Sequence, residues 1–409
     1  LKSRIEDLAI FGGPAAFTRP LHVGRPNTGD RQRFLRQVEE ILDRRWFTNN
    51  GRNVQDLERR IAEQLGVRHC LAICNGTIAL EIAVHALGLT GEVIVPSMTF
   101  VASAHALRWC GAKPVFCDVQ PGSYTLDPRR VEELINPRTC GILGVHLWGR
   151  PCEVEALSQI AADHNLALFF DAAHAFGCSH QGKMIGSFGQ LEVFSFHATK
   201  FFHTFEGGAI TTNDDDLAER INLMRNFGFR DYDQVVELGT NGKLNEISAA
   251  MGLNLLDCME DLVAANFRNY LQYEEELVGS PGIELLRYGT EERSNYQYIV
   301  LKVNEEKAGI SRDQLVSTLW AENVLTRRYF YPGCHRMEPY ASDGPDQRLS
   351  LPVTEDIVER VVVLPSGASL GPVEIGGICQ IVRFVLENGP AVRENLERNG
   401  WSGFVPGGK

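Results

Sequence analysis

Leu166-Ala167-Leu168-Phe169-Phe170 is an uninterrupted apolar run that stops at a carboxylate, Asp171, and continues as Ala172-Ala173-His174. A run this short, with no polar alternation, reads as a strand covered on both faces. Similar runs precede it at residues 70–73, 92–95, 114–117 and 141–145, alternating with stretches of helical pattern. Such alternation predicts a mostly parallel sheet wrapped by helices, where ligands gather beyond the carboxyl ends of the strands. The chemically interesting residues fall there: Asn75-Gly76-Thr77, the 96–100 segment, and Asp171 to His174.

Working outward, an amphipathic helix is expected at 30–45, with Asp30 as its N-cap and Phe34, Val38, Ile41 and Leu42 on one face. A second is expected at 54–65, and Gly66 suits its end. Downstream come a strand-rich stretch at 192–212, a helix at 215–226 and a glycine-rich polar loop at 227–242. One helical pattern then runs from 244 to 276. Beyond Gly282, short strands (296–303) mix with helices (312–322 and 372–387), which predicts a smaller α+β unit. The expected division is a large domain at 1–262, including the N-terminal helical segment, and a small C-terminal domain at 263–409. The glycine-rich ending at 400–408 reads as a frayed tail.

A chain of 409 residues exceeds one ordinary core, in keeping with two domains. Its 44% hydrophobic and 22% charged residues are those of a soluble globular protein. The net charge of -12 opposes nucleic acid and anionic membrane, so a phosphate-bearing ligand needs a local basic pocket. Ten cysteines are scattered without a C-x-x-C pair, and no metal site is expected. They read as buried free thiols of a reducing compartment. Residues 1–7 lack a secretory apolar region, and no apolar run is long enough to span a bilayer, so a cytoplasmic location is expected.

Pyridoxal 5'-phosphate chemistry asks four things of a protein: a lysine for the Schiff base, an acid against the ring nitrogen, a phosphate cup and a stacking side chain. Asp171, at a strand end, is the candidate acid. A buried unit-charge pair about 4 Å apart is worth roughly 4 kcal/mol at an effective dielectric of 20, enough to keep the ring nitrogen protonated. The plainer alternative is that Asp171 caps a following helix. Lys200 ends another apolar strand in Phe194-Ser195-Phe196-His197-Ala198-Thr199-Lys200. The aromatic, glycine-rich stretch from Phe201 to Gly208 is a poor solvent face, and desolvation lowers a lysine pKa and makes its amine nucleophilic. Gly76 and Thr77, at a strand-to-helix junction, offer backbone N–H groups to a phosphate, with Ser195 as a second contact. Phe100 is the candidate for stacking, although an aromatic there is by default core.

Taken in order along the chain, these segments resemble the sugar-nucleotide aminotransferases of the DegT/DnrJ/StrS type. The similarity begins at Phe11-Gly12-Gly13-Pro14 and Trp46-Phe47-Thr48-Asn49-Asn50-Gly51 and runs through Cys74-Asn75-Gly76-Thr77-Ile78-Ala79-Leu80 and Pro96-Ser97-Met98-Thr99-Phe100-Val101-Ala102-Ser103. It continues through His146-Leu147-Trp148-Gly149-Arg150-Pro151, Asp171-Ala172-Ala173-His174 and Ser195 to Lys200. Glu206-Gly207-Gly208, the 239–246 segment and Thr326-Arg327-Arg328-Tyr329-Phe330 complete it. The resemblance implies the α/β fold of aspartate aminotransferase and a homodimer with active sites at the subunit interface. It implies pyridoxal phosphate held through Gly76, Thr77 and Ser195, with Asn241 reaching in from the partner chain. Phe100 matches the stacking position and His174 the contact to the ring hydroxyl, where the commonest residue is glutamine. Asn241 is followed by glycine where many relatives have an aromatic.

The implied reaction is ping-pong transfer of an amino group from L-glutamate to a nucleotide-linked keto sugar in deoxysugar and antibiotic biosynthesis. Ser-Phe-His-Ala-Thr-Lys and Phe-Glu-Gly-Gly look more like enzymes aminating C4 than those aminating C3, which tend to carry Tyr-Pro before the lysine. The expected substrate is dTDP-4-keto-6-deoxy-D-glucose. Tyr329 and His335 are candidates for the sugar pocket, and Arg225, Arg230, Lys243 and Arg328 for the diphosphate, although each basic residue also reads as a surface charge. A related sugar dehydratase would carry histidine at Lys200, and a regulator on this fold would be expected to lack the lysine or the aspartate. A nicotinamide dehydrogenase fails for want of G-x-G-x-x-G after the first strand.

Overall fold

A computed structural model describes residues 2–343 and 350–404. Seven strands form the central sheet: β1 (His69–Ile73), β2 (Glu92–Pro96), β3 (Lys113–Cys117), β4 (Thr139–Val145), β5 (Ala167–Asp171), β6 (Leu191–Ser195) and β7 (Gly208–Thr212). Their order is β1-β7-β6-β5-β4-β2-β3, with β7 antiparallel to both neighbours and the other adjacent pairs parallel. The apolar runs become interior strands because helices cover both faces: Phe169, Phe170 and Phe194 are fully buried. The carboxyl ends of β1, β2, β5 and β6 therefore open on one edge of the sheet.

Helices α1 (Arg31–Arg44) and α2 (Arg52–Leu65) sit where expected, for local reasons. The Asp30 carboxylate accepts from the N–H groups of Gln32 and Arg33, and Gly66 ends α2 in a left-handed conformation. Helices α3 (Gly76–Ala86) and α4 (Val101–Trp109) begin where β1 and β2 leave the sheet. The 244–276 stretch is two helices, Glu246–Leu256 and Met259–Leu277, parted at Asp257-Cys258, whereas one was expected. The second starts in the large core through Met259 and Leu262 and ends in the small one through Tyr273 and Leu277.

The small domain is a three-stranded antiparallel sheet, β8 (Ile283–Leu285), β9 (Ile299–Val303) and β10 (Val361–Leu364), packed against helices Arg312–Ala321 and Pro372–Glu387. Two segments differ from expectation. Leu8 and Leu21 pack into this small core although residues 1–22 were assigned to the large domain. The cause is the buried Glu322 carboxylate, which accepts from the N–H groups of Ala9 (2.8 Å) and Ala16 (2.7 Å) and pairs with Lys2 (2.9 Å). Residues 401–404 are docked rather than frayed: the Trp401 indole donates to Ser317 Oγ, and Phe404 packs edge-on against Trp320. Residues 405–409 lie outside the described residues. Among the described residues no helix is long and apolar enough to cross a membrane, and the ten cysteines are free thiols.

Candidate active site

A cavity of about 310 Å³ opens at the carboxyl ends of β1, β5 and β6, where the small domain meets the sheet. Gly76, Thr77, Phe100, Asp171, His174, Ser195, Lys200 and Tyr329, each singled out from the sequence, line it together.

Asp171 is delivered by the last position of β5. Its Oδ2 accepts from Ser103 Oγ (2.7 Å) and its Oδ1 from Ala173 N–H (3.0 Å), in a tight turn with no helix following. Burial pushes its carboxyl up, and the two hydrogen bonds and the Lys200 charge oppose that rise. An acid so placed is poised to share its charge with a cation entering the cavity.

His174 is buried, and burial together with the Lys200 charge holds its pKa well below the usual imidazole range. Trp148 N–H donates to its Nδ1 (3.2 Å), so the neutral ring carries its proton on Nε2. In that tautomer Nε2 is a hydrogen-bond donor.

Lys200 follows β6 on a turn closed by its own N–H to His197 O (2.8 Å). The aromatic residues after it explain its setting: Phe202 packs against Phe176 (4.6 Å between centroids) and edge-on against Phe196 (4.9 Å). Desolvation lowers the Lys200 amine to about 8, against the pull of Asp171.

The start of α3 makes an anion cup. Asn75 Oδ1 caps Ile78 N–H (2.8 Å), and helix geometry leaves the N–H groups of Gly76 and Thr77 without intrahelical acceptors. A Cβ on Gly76 would stand 3.0 Å from Ser195 Cβ. A Cβ on Gly208 would meet the Gly76 nitrogen at 3.0 Å and the Phe194 carbonyl oxygen at 2.6 Å. Glycine at both positions lets β6, β7 and α3 converge beside Ser195. Phe100 is 58% exposed at the rim, 6.1 Å from Phe330.

The remaining candidates lie elsewhere in the chain. Arg225 is buried in an ion pair with Glu58 and donates to Ala72 O, tying α2 to β1. Arg328 pairs with Asp313 (2.9 Å) between the rings of Tyr331 and Phe404. His335 is held by Ser97 Oγ (2.7 Å) behind the end of β2. Arg230 is exposed, Lys243 donates to Asn226 Oδ1 (2.9 Å), and Asn241 is exposed outside the cavity lining. The cavity also recruits Val23, Gly24, Gln297, Tyr298 and Phe330, and Ser103 supports it from α4. Ser103 and Phe330 fall inside segments that carry the resemblance but were given no role, and no local pattern marked Val23, Gly24, Gln297 or Tyr298, because each arrives from a distant segment.

Residues 29–383 match the model of the DegT/DnrJ/EryC1/StrS aminotransferase family. The chain belongs to that family. A dTDP-4-amino-4,6-dideoxy-D-glucose transaminase of Shigella dysenteriae is 39% identical over 352 residues, which cover 86% of this chain and 95% of the relative. A transaminase of the same description from Escherichia coli is 36% identical, covering 85% and 94%. The crystal structure of DesI, analysed in the presence of its TDP-sugar product, superposes with a TM-score of 0.93 at 45% identity, covering 96% of this chain and all of DesI. As a DegT/DnrJ/EryC1/StrS aminotransferase the protein is a pyridoxal-phosphate-dependent enzyme. The cavity fits that cofactor: a buried acid, an amine of lowered pKa, a glycine-lined helix start and an aromatic rim surround one space.

Proposed function

We propose that the enzyme transfers the amino group of L-glutamate to the keto carbon of a nucleotide-linked deoxyhexose. The best-fitting substrate is dTDP-4-keto-6-deoxy-D-glucose, which becomes the 4-amino-4,6-dideoxy sugar. The observation that carries the reading is the cavity where Asp171, His174, Lys200 and the start of α3 converge, in a chain that overlaps sugar-nucleotide transaminases along nearly its whole length. The substrate assignment is supported by what those relatives act on.

Bound pyridoxal phosphate supplies an aldehyde that captures amino groups and a protonated ring that withdraws the electron pair released at Cα. Lys200 Nζ would hold the cofactor through its aldehyde. When free, the same amine would move the proton between substrate Cα and the cofactor's C4′, as base and then acid. A pKa of about 8 suits both duties near neutrality. Asp171 would keep the proton on the ring nitrogen, His174 Nε2–H would donate to the ring hydroxyl, and Phe100 would cover the ring. Gly76, Thr77 and Ser195 would hold the phosphate.

In this reading the working unit is a cytoplasmic homodimer, and Asn241 of each subunit completes the phosphate cup of the other. Tyr329 lies on the sugar side, and exposed Arg230 and half-buried Lys243 are the cations left to meet the diphosphate. The test is incubation with L-glutamate and a panel of 3-keto and 4-keto sugar nucleotides, read by product mass and NMR. Amination of the dTDP-4-keto sugar at C4 is expected. Turnover of a 3-keto sugar alone would refute the 4-amino assignment.

A further inference from the structure

Gln297 and Tyr298 directly precede β9 of the small domain, yet both side chains reach the loop that carries Lys200. The Gln297 amide donates through Nε2 to Thr199 O (3.1 Å) and accepts through Oε1 from Phe201 N–H (3.2 Å). One side chain therefore grips the backbone on both sides of Lys200. Lys200 Nζ in turn donates to the Tyr298 hydroxyl at 3.1 Å. Tyr298 is only 3% exposed, its ring lies 4.5 Å from His174, and Tyr288 Oη fixes its carbonyl at 2.8 Å. Burial holds the phenol well above its usual range, so it stays protonated beside the amine.

We propose that Gln297 and Tyr298 are positioning residues for Lys200, the amide fixing its backbone and the phenol holding its amine where an incoming aldehyde must arrive. An untethered lysine loses much of its side-chain freedom when it is ordered. A lysine already held gives up less on capture, and rate follows from that preorganisation. The proposal rests on Lys200 being the covalent lysine. Asp171, His174, His197, Glu206 and Tyr329 line the same cavity as Lys200 and Tyr298, and Tyr298→Phe leaves all five in place.

The test uses the full chain stripped of cofactor. Pyridoxal phosphate is added, the adduct is trapped with borohydride at timed intervals between pH 6 and 10, and the labelled peptide is mapped. The affinity for pyridoxamine phosphate, which has no aldehyde to capture, is measured in parallel. Wild type is expected to label Lys200 with a midpoint near pH 8. Tyr298→Phe keeps the ring but removes the acceptor of the ammonium, so the midpoint should fall by roughly 0.5–1 unit. Gln297→Leu removes two hydrogen bonds and should slow trapping at its plateau by about tenfold, with pyridoxamine phosphate affinity kept within twofold. An unmoved or raised midpoint in Tyr298→Phe would overturn the proposal. So would unchanged trapping in Gln297→Leu, or affinity for pyridoxamine phosphate falling in step with the rate. Wild-type label on another lysine would overturn the Lys200 assignment and this proposal together, whereas wild-type label on Lys200 with unresponsive variants would overturn this proposal alone.

Discussion

Asp171 meets the cavity with both oxygens engaged, one by Ser103 and one by Ala173 N–H, so replacing the carboxylate by an amide changes charge more than shape. Asp171→Asn should therefore fold and bind cofactor while losing the charge that keeps the ring nitrogen protonated. An interaction of about 4 kcal/mol corresponds to roughly a thousandfold in rate. Loss of the Cα proton in the glutamate half-reaction, followed by stopped-flow absorbance, should slow by about that factor. A rate within a few-fold of wild type would mean that Asp171 serves only to shape its turn. Asp171 and Lys200 could be singled out from sequence because Asp171 ends an apolar strand and Lys200, expected at the end of another, lies on the turn just beyond Ser195, and a charge so close to a strand end is a local signal. Ser103, Gln297 and Tyr298 carry no such mark. Their partners lie 68, 96 and 98 residues away: the folding of the large sheet brings Ser103 to Asp171, and the packing of the small domain against it brings Gln297 and Tyr298 to the Lys200 loop.

Helix α2 starts after Gly51, which has no side chain to cap it, and the cap comes from another helix. Buried Glu246 accepts from the N–H groups of Asn53 (3.1 Å) and Val54 (3.0 Å), and a Cβ on Gly51 would lie 2.5 Å from its carboxyl carbon. Glu246→Ala leaves two buried donors without partners, at a cost of about 1–3 kcal/mol. The urea midpoint should fall accordingly with little change in its slope. A midpoint equal to wild type would mean that water replaces the carboxylate. The same contrast governs what could be read of the fold. Strand runs, the Asp30 cap and the Gly66 stop are written within a few residues of where they act. The antiparallel setting of β7 and the docking of residues 1–22 on Glu322 depend on partners far along the chain. The break at Asp257-Cys258 escapes a periodicity argument because apolar residues continue across it.

At the scale of the whole molecule, the chain leaves several large apolar side chains in solvent beside Asn241. The segment before it exposes Phe227, Phe229, Tyr232 (96%) and Leu238 (74%), on and around the short hairpin of Phe229–Asp231 and Gln234–Val235. A cluster of this kind is the surface that a second copy would cover in the proposed dimer. Asn241 is fixed at its base: it bridges to Asn226, and Gly242 O accepts from Cys74 N–H (2.7 Å), yet it stays outside the cavity of its own chain. A second copy covering this surface would receive Asn241 at its own phosphate cup. Subunits carrying Lys200→Ala and subunits carrying Asn241→Asp should each be inactive, the first for want of the amine and the second because a carboxylate repels the phosphate dianion. In a mixed dimer one of the two sites holds both an intact lysine and an intact asparagine. Exchanging the two variants, with each confirmed as a folded dimer and exchange followed by native mass spectrometry, should restore roughly a quarter of wild-type activity. That figure follows if half the dimers are mixed and each has one working site of two, as independent sites require. Recovery would place Asn241 across the interface. No recovery with mixed dimers present would put Asn241 and Lys200 of one chain in the same site, and the exposed hairpin would then need another partner.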